Sequence, residues 1–385
     1  MQLARELRRN GAAILATGAA MVAGSPAVAG TTLHDSEAEM RFELFTDSDH
    51  VRVSSAGGSW GAALQDNWNV AVDWLRQVVT VPGIAAAPGS QEAADSVSGA
   101  SRPIASDSDP HADFYKSRQQ VSTALNWNGA SAGYYVSSES DYFAQQVSGS
   151  FERGLLNDNL LLSLSGSYGW DSIDPAEDTD GQTEADRKTT THGAFVATQV
   201  LTPITMLQAG VELSSVGGLQ HNPYRNIYVD GGYIAERHPD SRLRQDVFFR
   251  LNQYLPNRAS AKLGYKLYRD DWGIQSHTVE SKLSQYVGQR VTVRYRHRYY
   301  VQTESDFFSE SYTTPGGIDG YRTGDYRMGD FSSHLFGTKI SVDLGRGPIE
   351  VDWLENVGIV AKYERYFNSN NFSANILETA LALSF

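Results

Sequence analysis

The sequence predicts an all-β chain: a transmembrane antiparallel up-and-down β-barrel of about 16 strands. Three observations carry this expectation. No segment after the N-terminal leader approaches a spanning helix, and segments of about 8–15 residues alternate polar and apolar side chains. The long connections between these segments all fall on one side of the barrel. A membrane protein without spanning helices must close a sheet on itself, because lipid offers unpaired backbone groups no partner.

Composition supports one large β-structure rather than two soluble domains, although the 385 residues could hold either. Gly (35) and Tyr (20) are abundant, and long apolar runs are few. Cys is absent, which suits export without disulfides. Its absence also excludes c-type haem attachment, thiolate zinc sites and cysteine nucleophiles. A net charge of −13 argues against nucleic acid as a partner, since phosphate binding needs a basic face.

The N-terminus reads as a signal peptide over residues 1–29. Arg5, Arg8 and Arg9 form its positive start, Gly11 to Gly24 its apolar run, and Ala27-Val28-Ala29 its cleavage pattern. The run is shorter than the roughly 20 apolar residues a spanning helix needs. The barrel then occupies residues 30–385.

Alternation and turn residues place the strands in order. The first four are Glu37 to Phe45, His50 to Ala56, Ala62 to Trp74 and Arg118 to Trp127. A tight meander follows: Ala130 to Ser137, Asp141 to Arg153 and Asn159 to Trp170. Thr189 to Val200 and Thr205 to Ser215 come next. Arg242 to Leu255, Ala259 to Arg269, Ile274 to Tyr286 and Gln289 to Gln302 form a second meander. Met328 to Asp343, Glu350 to Tyr366 and Phe372 to Phe385 complete an even number, as single-chain bacterial barrels require.

Parity orients the barrel. With the N-terminus in the periplasm, the long connections Leu75 to Ser117, Asp171 to Lys188, Val216 to Ser241 and Thr303 to Arg327 are external. The short turns at Gly129, Thr202-Pro203, Pro256-Asn257 and Gly288 are periplasmic. A soluble sandwich has no reason to sort its loops this way. The segment Ala85 to His111 is rich in Ala, Ser, Gly, Pro and Asp, and reads as an external loop or as one folded into the lumen. In the last strand Leu377, Leu381, Leu383 and Phe385 share a face. This resembles the C-terminal signal read by the barrel-assembly machinery, an expected partner besides membrane lipid.

Alternation also assigns candidate lumen residues. In the strand ending at Gln302, Arg290, Arg294, Arg296 and Arg298 share one side, and Val291, Val293, Tyr295 and Tyr299 the other. A charge facing lipid costs about 2–4 kcal/mol at the midplane, so the arginines must line the lumen. His297 then falls on the outer side. Arg242, Arg244, Arg250, Lys262 and Lys266 extend the basic wall, while Glu280, Glu364 and Glu378 are acidic candidates, with Glu37, Glu39 and Glu43 on the first strand. Two readings stay open. Opposed basic and acidic walls could orient passing solutes, or the charges could pair and fill the interior.

Other candidates are weaker. Asp174, Asp178 and Asp180 sit in an acidic loop with a fragment of calcium-loop spacing, but the full pattern is missing and a solvated loop explains it. His192, His221, His238, His277, His297 and His334 are scattered without a catalytic motif. Trp60, Trp68, Trp74, Trp127, Trp170, Trp272 and Trp353 fall mostly near strand ends, as aromatic girdles do.

Several clusters resemble a family of Gram-negative outer-membrane β-barrel proteins known as a domain of unknown function. They are Asp95-Ser-Val-Ser-Gly-Ala-Ser101, Asn222-Pro-Tyr-Arg225, Arg269-Asp-Asp-Trp-Gly-Ile-Gln-Ser-His277, Tyr295-Arg-His-Arg-Tyr-Tyr-Val-Gln302 and Asp330-Phe-Ser-Ser-His-Leu-Phe-Gly-Thr-Lys339. The resemblance implies the outer membrane and, through genes that accompany the family, a redox setting. It implies no activity and no catalytic residues. The expectation is a porin-like channel for small polar or charged solutes, with no enzyme activity, cofactor or metal. The alternative is a non-conducting scaffold that holds a partner protein.

Overall fold

A strand with charges on one face and apolar groups on the other can satisfy both in a bilayer only within a closed sheet. The computed structural model shows this closure. It describes residues 36–48, 51–64, 67–81, 114–174, 186–223, 226–229, 232–312, 320–345 and 354–385. The signal peptide, the segment Ala85 to His111, Asp178, Asp180 and Trp353 lie outside the described residues.

Sixteen strands form the wall. They begin with β1 (Glu37–Asp47), β2 (Arg52–Ala63), β3 (Trp68–Val81), β4 (Phe114–Trp127), β5 (Ala130–Ser138) and β6 (Tyr142–Leu155). Then come β7 (Leu160–Ile173), β8 (Asp186–Thr202) and β9 (Thr205–Gly218). After an external hairpin, β10 (Asn226–Val229) and β11 (Gly232–Ala235), the wall resumes with β12 (Ser241–Leu255), β13 (Ala259–Asp270) and β14 (Gln275–Val287). It ends with β15 (Val291–Gln302), β16 (Phe331–Asp343), β17 (Asn356–Asn368) and β18 (Ser373–Ser384). Each strand pairs antiparallel with its neighbours, and β18 returns to β1 from Glu37↔Ser384 to Asp47↔Ala374. The Ser36 amide donates to the Phe385 carbonyl (2.6 Å) and the Phe385 amide to the Ser36 carbonyl (2.8 Å).

The strand number matches the sequence expectation, and the strands flanking the four long connections meet them at the same end of the barrel, while several boundaries move. The strand expected to stop at Ala56 runs on to Ala63. Gly57-Gly58 falls between two expected strands, yet it is strand, because the neighbouring strand fills the missing side-chain space. A Cβ on Gly57 would meet the Trp74 carbonyl oxygen at 2.7 Å and Leu75 Cδ1 at 2.9 Å. One on Gly58 would meet Trp74 Nε1 at 2.9 Å. The third strand accordingly starts at Trp68 rather than Ala62, after the left-handed Asn67. The last-but-one strand starts at Asn356, not Glu350. Tyr326–Met328 is a 3-10 turn rather than the start of β16, and the β10–β11 hairpin was not expected.

The two faces of the wall differ. Large exposed apolar side chains such as Met40, Phe42, Phe195, Phe249, Leu263, Tyr295, Phe336, Ile359 and Leu381 share one register parity around the ring. The other parity carries the Asp, Glu and Lys side chains of the barrel strands, among the described residues, and more than half of their arginines. Polar groups inside and apolar groups outside is the arrangement of a membrane barrel of the bacterial outer membrane. Trp68 and Trp127 stack outward at the periplasmic rim with centroids 5.5 Å apart, while Trp272 is 3% exposed under the external loops and belongs to no girdle.

A Gly57→Val substitution should cost about 1–3 kcal/mol through overpacking against Leu75 and the Trp74 backbone. Heat-modifiable migration on gels will show this as a lower unfolding temperature. A similar substitution at Gly345, whose Cβ would meet nothing within 4 Å, tests the left-handed turn alone (φ +63°).

Candidate functional site, a charged lumen wall

The charges concentrate on β12 to β18. Period-two alternation turns Arg294, Arg296 and Arg298 of β15 to the same side as Glu280 and Lys282 of β14 and Lys339 of β16. β17 adds Lys362 and Glu364, and β18 adds Glu378.

An ion-pair ladder crosses this wall. Arg296 reaches Glu280 (2.7 Å) on one side and Glu364 (2.8 Å) on the other. Glu280 also holds Lys282 at 2.7 Å, and Lys362 joins Glu364 (3.8 Å) to Glu378 (2.7 Å). The Arg296–Glu364 pair spans β16, and Gly337 makes that possible. A Cβ there would lie 2.9 Å from Glu364 Cγ. This part of the wall matches the expectation of charges that pair and fill space.

In the neighbouring part, cations face cations and three of them, among the described residues, lack an ion pair. Register sets Arg294 opposite Lys339, and Lys339 opposite Lys362. On the other side Lys262 stands opposite Lys282. Among the described residues, Lys262, Arg294 and Lys339 have no carboxylate within ion-pair distance. Arg294 donates instead to Ser284 Oγ (3.1 Å). Arg250 likewise donates to Gln208 Oε1 (2.9 Å) and lies over the Phe248 ring at 4.3 Å. Like charges directly opposite one another destabilise a sheet. Lys362 is neutralised by Glu378 (2.7 Å), but the facing Arg294 and Lys339 need water or an anion to solvate them.

Toward the outer side, Arg242 is buried and ion-paired to Asp270, which also accepts from Tyr268 (2.6 Å). Lys266 pairs with Asp246 (2.9 Å) and more loosely with Glu212 (3.5 Å). Above them the described external loops pack into a cap. Trp272 and Phe307 meet edge to face at 5.2 Å, and His238 sits 5.4 Å from each. Arg242 lies over Trp272 at 4.2 Å, tying cap to wall. Backbone bonds join Arg237 and Arg322 in both directions, and Thr323 donates to Glu236 (2.7 Å).

The lumen register thus includes Arg242, Arg244, Arg250, Lys262, Lys266, Glu280, Arg294, Arg296, Arg298, Glu364 and Glu378. Arg290 is the exception. It lies in the turn before β15, at the periplasmic rim, where its carbonyl accepts from the Asp343 amide (2.8 Å). Asp174 ends the strand region beside β7, its amide bonded to the Asp141 carbonyl, and no group of three metal-ligating side chains occurs among the described residues. Lys282, Lys339, Lys362 and Asp270 were missed in sequence. The same alternation that marked Arg294 and Glu364 marks them too.

Replacing Arg296 with Gln removes one partner from each of two carboxylates, leaving Glu280 to Lys282 and Glu364 to the looser Lys362, whereas replacing Arg298 removes none within ion-pair distance. Arg296→Gln should therefore lower stability in detergent by about 1–2 kcal/mol more than Arg298→Gln, discounted for lumen water. Paired thermal melts of the two variants measure the difference.

Comparison with known proteins gives three findings. The solved barrel OpdQ of Pseudomonas aeruginosa is 10% identical, with a TM-score of 0.43, covering 91% of this chain and 98% of its own. OmpTdeltaL8, a loop-deletion mutant of an outer membrane protein of Vibrio cholerae, is 8% identical with a TM-score of 0.44 and the same coverage. OccAB3 of Acinetobacter baumannii is 11% identical with a TM-score of 0.39, again covering 91% and 98%. No curated protein matches the sequence. The model of the family described as "Protein of unknown function (DUF3570)" matches residues 10–369, most of the barrel and its charged wall, and the chain belongs to that family.

Proposed function

We propose that the barrel is a passive outer-membrane channel for small polar solutes, with a preference for anions. The observation that carries this reading is Arg294 facing Lys339 across adjacent strands, flanked by Lys262, with no carboxylate at ion-pair distance from any of the three among the described residues. Packing alone gives no reason to place cations opposite cations. A site that must attract and release an anion does, because binding must be favourable enough for entry and weak enough for exit. A sixteen-strand wall leaves room for an aqueous channel. The ladder beside these cations supplies a carboxylate edge, so a solute would cross a transverse field.

A second reading is a non-conducting scaffold that holds a partner protein. The packed cap of Trp272, Phe307 and His238 favours it, since a rigid cap restricts entry and offers a shaped surface.

Planar-bilayer recording separates the two. The channel reading expects discrete conductance steps and an anion-selective reversal potential in a salt gradient. Replacing Lys262, Arg294 and Lys339 together with Ser should reduce that selectivity or reverse it. Arg296→Ser, which leaves Glu280 and Glu364 with lysine partners only, should shift it toward cations even alone. Folded barrel that never conducts would discard the channel, and a stoichiometric partner co-purified from gently solubilised membranes would support the scaffold.

A further inference from the structure

The outward face carries its own charge rule. No Asp or Glu of the sixteen barrel strands falls on the outward register among the described residues. Arginines do. Arg52, Arg76, Arg187, Arg269 and Arg365 all face outward in the half nearer the external loops, and Arg153 alone faces outward toward the periplasm.

Arg365 is part of a built arrangement. It donates to Asn375 Oδ1 (3.0 Å) and Ser373 Oγ (2.9 Å), and the Tyr363 hydroxyl donates to the same Asn375 oxygen (2.8 Å). These bonds fix the guanidinium and leave further N–H groups of its fork unused. The pairing register continues the row from Arg365 to Asn375, Thr46 and Arg52. Two guanidinium groups therefore face outward three strand spacings apart, about 14 Å, with only polar neutral groups between them.

On the other side the row runs into an apolar groove of about 640 Å³ on the barrel exterior. Leu263, Leu283, Tyr295, His297 and Phe336 form its walls, and Ala261 and Ser281 its floor. His297 bonds His334 (3.1 Å) and stacks on Phe336 (4.5 Å), which explains how an imidazole is tolerated on this face. Arg365 lies three residues from the outer end of β17, about 8 Å below it at ordinary strand tilt, and so at the upper edge of a 25 Å apolar band.

We propose that the outward row Arg365–Asn375–Thr46–Arg52, with the groove beside it, binds the phosphate-bearing headgroup and an acyl chain of a lipid in the external leaflet. The guanidinium fork matches phosphate geometry, and the groove receives the chain. The uniform sign of the outward charges in this half complements an anionic leaflet, and the proposal holds whether or not the lumen conducts.

Native mass spectrometry of the full barrel in neutral detergent, titrated with diphosphoryl lipid A, tests it. Wild type should retain the lipid. At about a fivefold loss for each arginine near the surface, Arg52→Gln should weaken retention about fivefold and Arg52→Gln with Arg365→Gln about 30-fold. Arg153→Gln, at the periplasmic end, should leave it unchanged. Should the double variant fail to fold, the exposed Arg52→Gln alone still decides. Retention unchanged in Arg52→Gln would overturn the proposal, as would equal retention of uncharged diacylglycerol. Displacement of the lipid by equimolar inorganic phosphate would do the same, because it would make free phosphate the ligand.

Discussion

Closure of the sheet is the constraint on which everything else rests. Inside a bilayer an open edge leaves a row of backbone N–H and C=O groups without partners, at several kcal/mol each. The chain removes that edge where β18 meets β1 in an unbroken register, ending with the reciprocal Ser36–Phe385 bonds. Once the wall is closed, each strand has one face toward lipid and one toward the lumen. The pleat then dictates which side chains meet which solvent. A one-residue slip in any strand would reverse that assignment, so the charge pattern itself helps to fix the register.

The lumen wall solves two problems with the same residue types. Around Arg296, charges are paired with carboxylates and bridged past Gly337, which neutralises them in a partly desolvated interior. Around Arg294 and Lys339, cations face cations. The first arrangement lowers the free energy of the fold, while the second raises it unless something anionic or aqueous intervenes. The contrast between adjacent parts of one wall distinguishes a structural filling from a site. The exterior follows a third logic, in which, among the described residues, carboxylates are absent from the outward register of the strands and arginines gather toward the external end.

Much of this was legible in the sequence. Strand number and the placing of Arg242, Arg294, Arg296 and Glu364 on the face opposite the large apolar side chains follow from period-two alternation and from the cost of a charge in lipid. What failed has physical causes. Gly57-Gly58 falls between two expected strands, and only the bulk of Trp74 and Leu75 on the next strand shows why glycine is needed within β2. Arg290 continues the alternation of β15 by one position but falls in the turn, since periodicity does not mark where pairing stops. Cross-strand relations were invisible altogether. No sequence pattern says that Lys339 stands opposite Arg294, or that Asn375 aligns Arg365 with Arg52, because register between strands is set by the whole ring. Trp272 looked like a girdle residue by its position in a turn, and its burial depends on loops distant in sequence.

The absence of Cys makes the central claim directly measurable, because each introduced thiol is the only one in the chain. Single substitutions to Cys at consecutive positions of β15, from Val293 to Tyr299, can be probed in liposomes with a membrane-impermeant maleimide. Arg294→Cys, Arg296→Cys and Arg298→Cys should label from water, while Val293→Cys, Tyr295→Cys and Tyr299→Cys should stay protected by lipid. Labelling that lacks this two-residue period, or shows it with the opposite phase, would contradict a closed barrel with its charges turned inward.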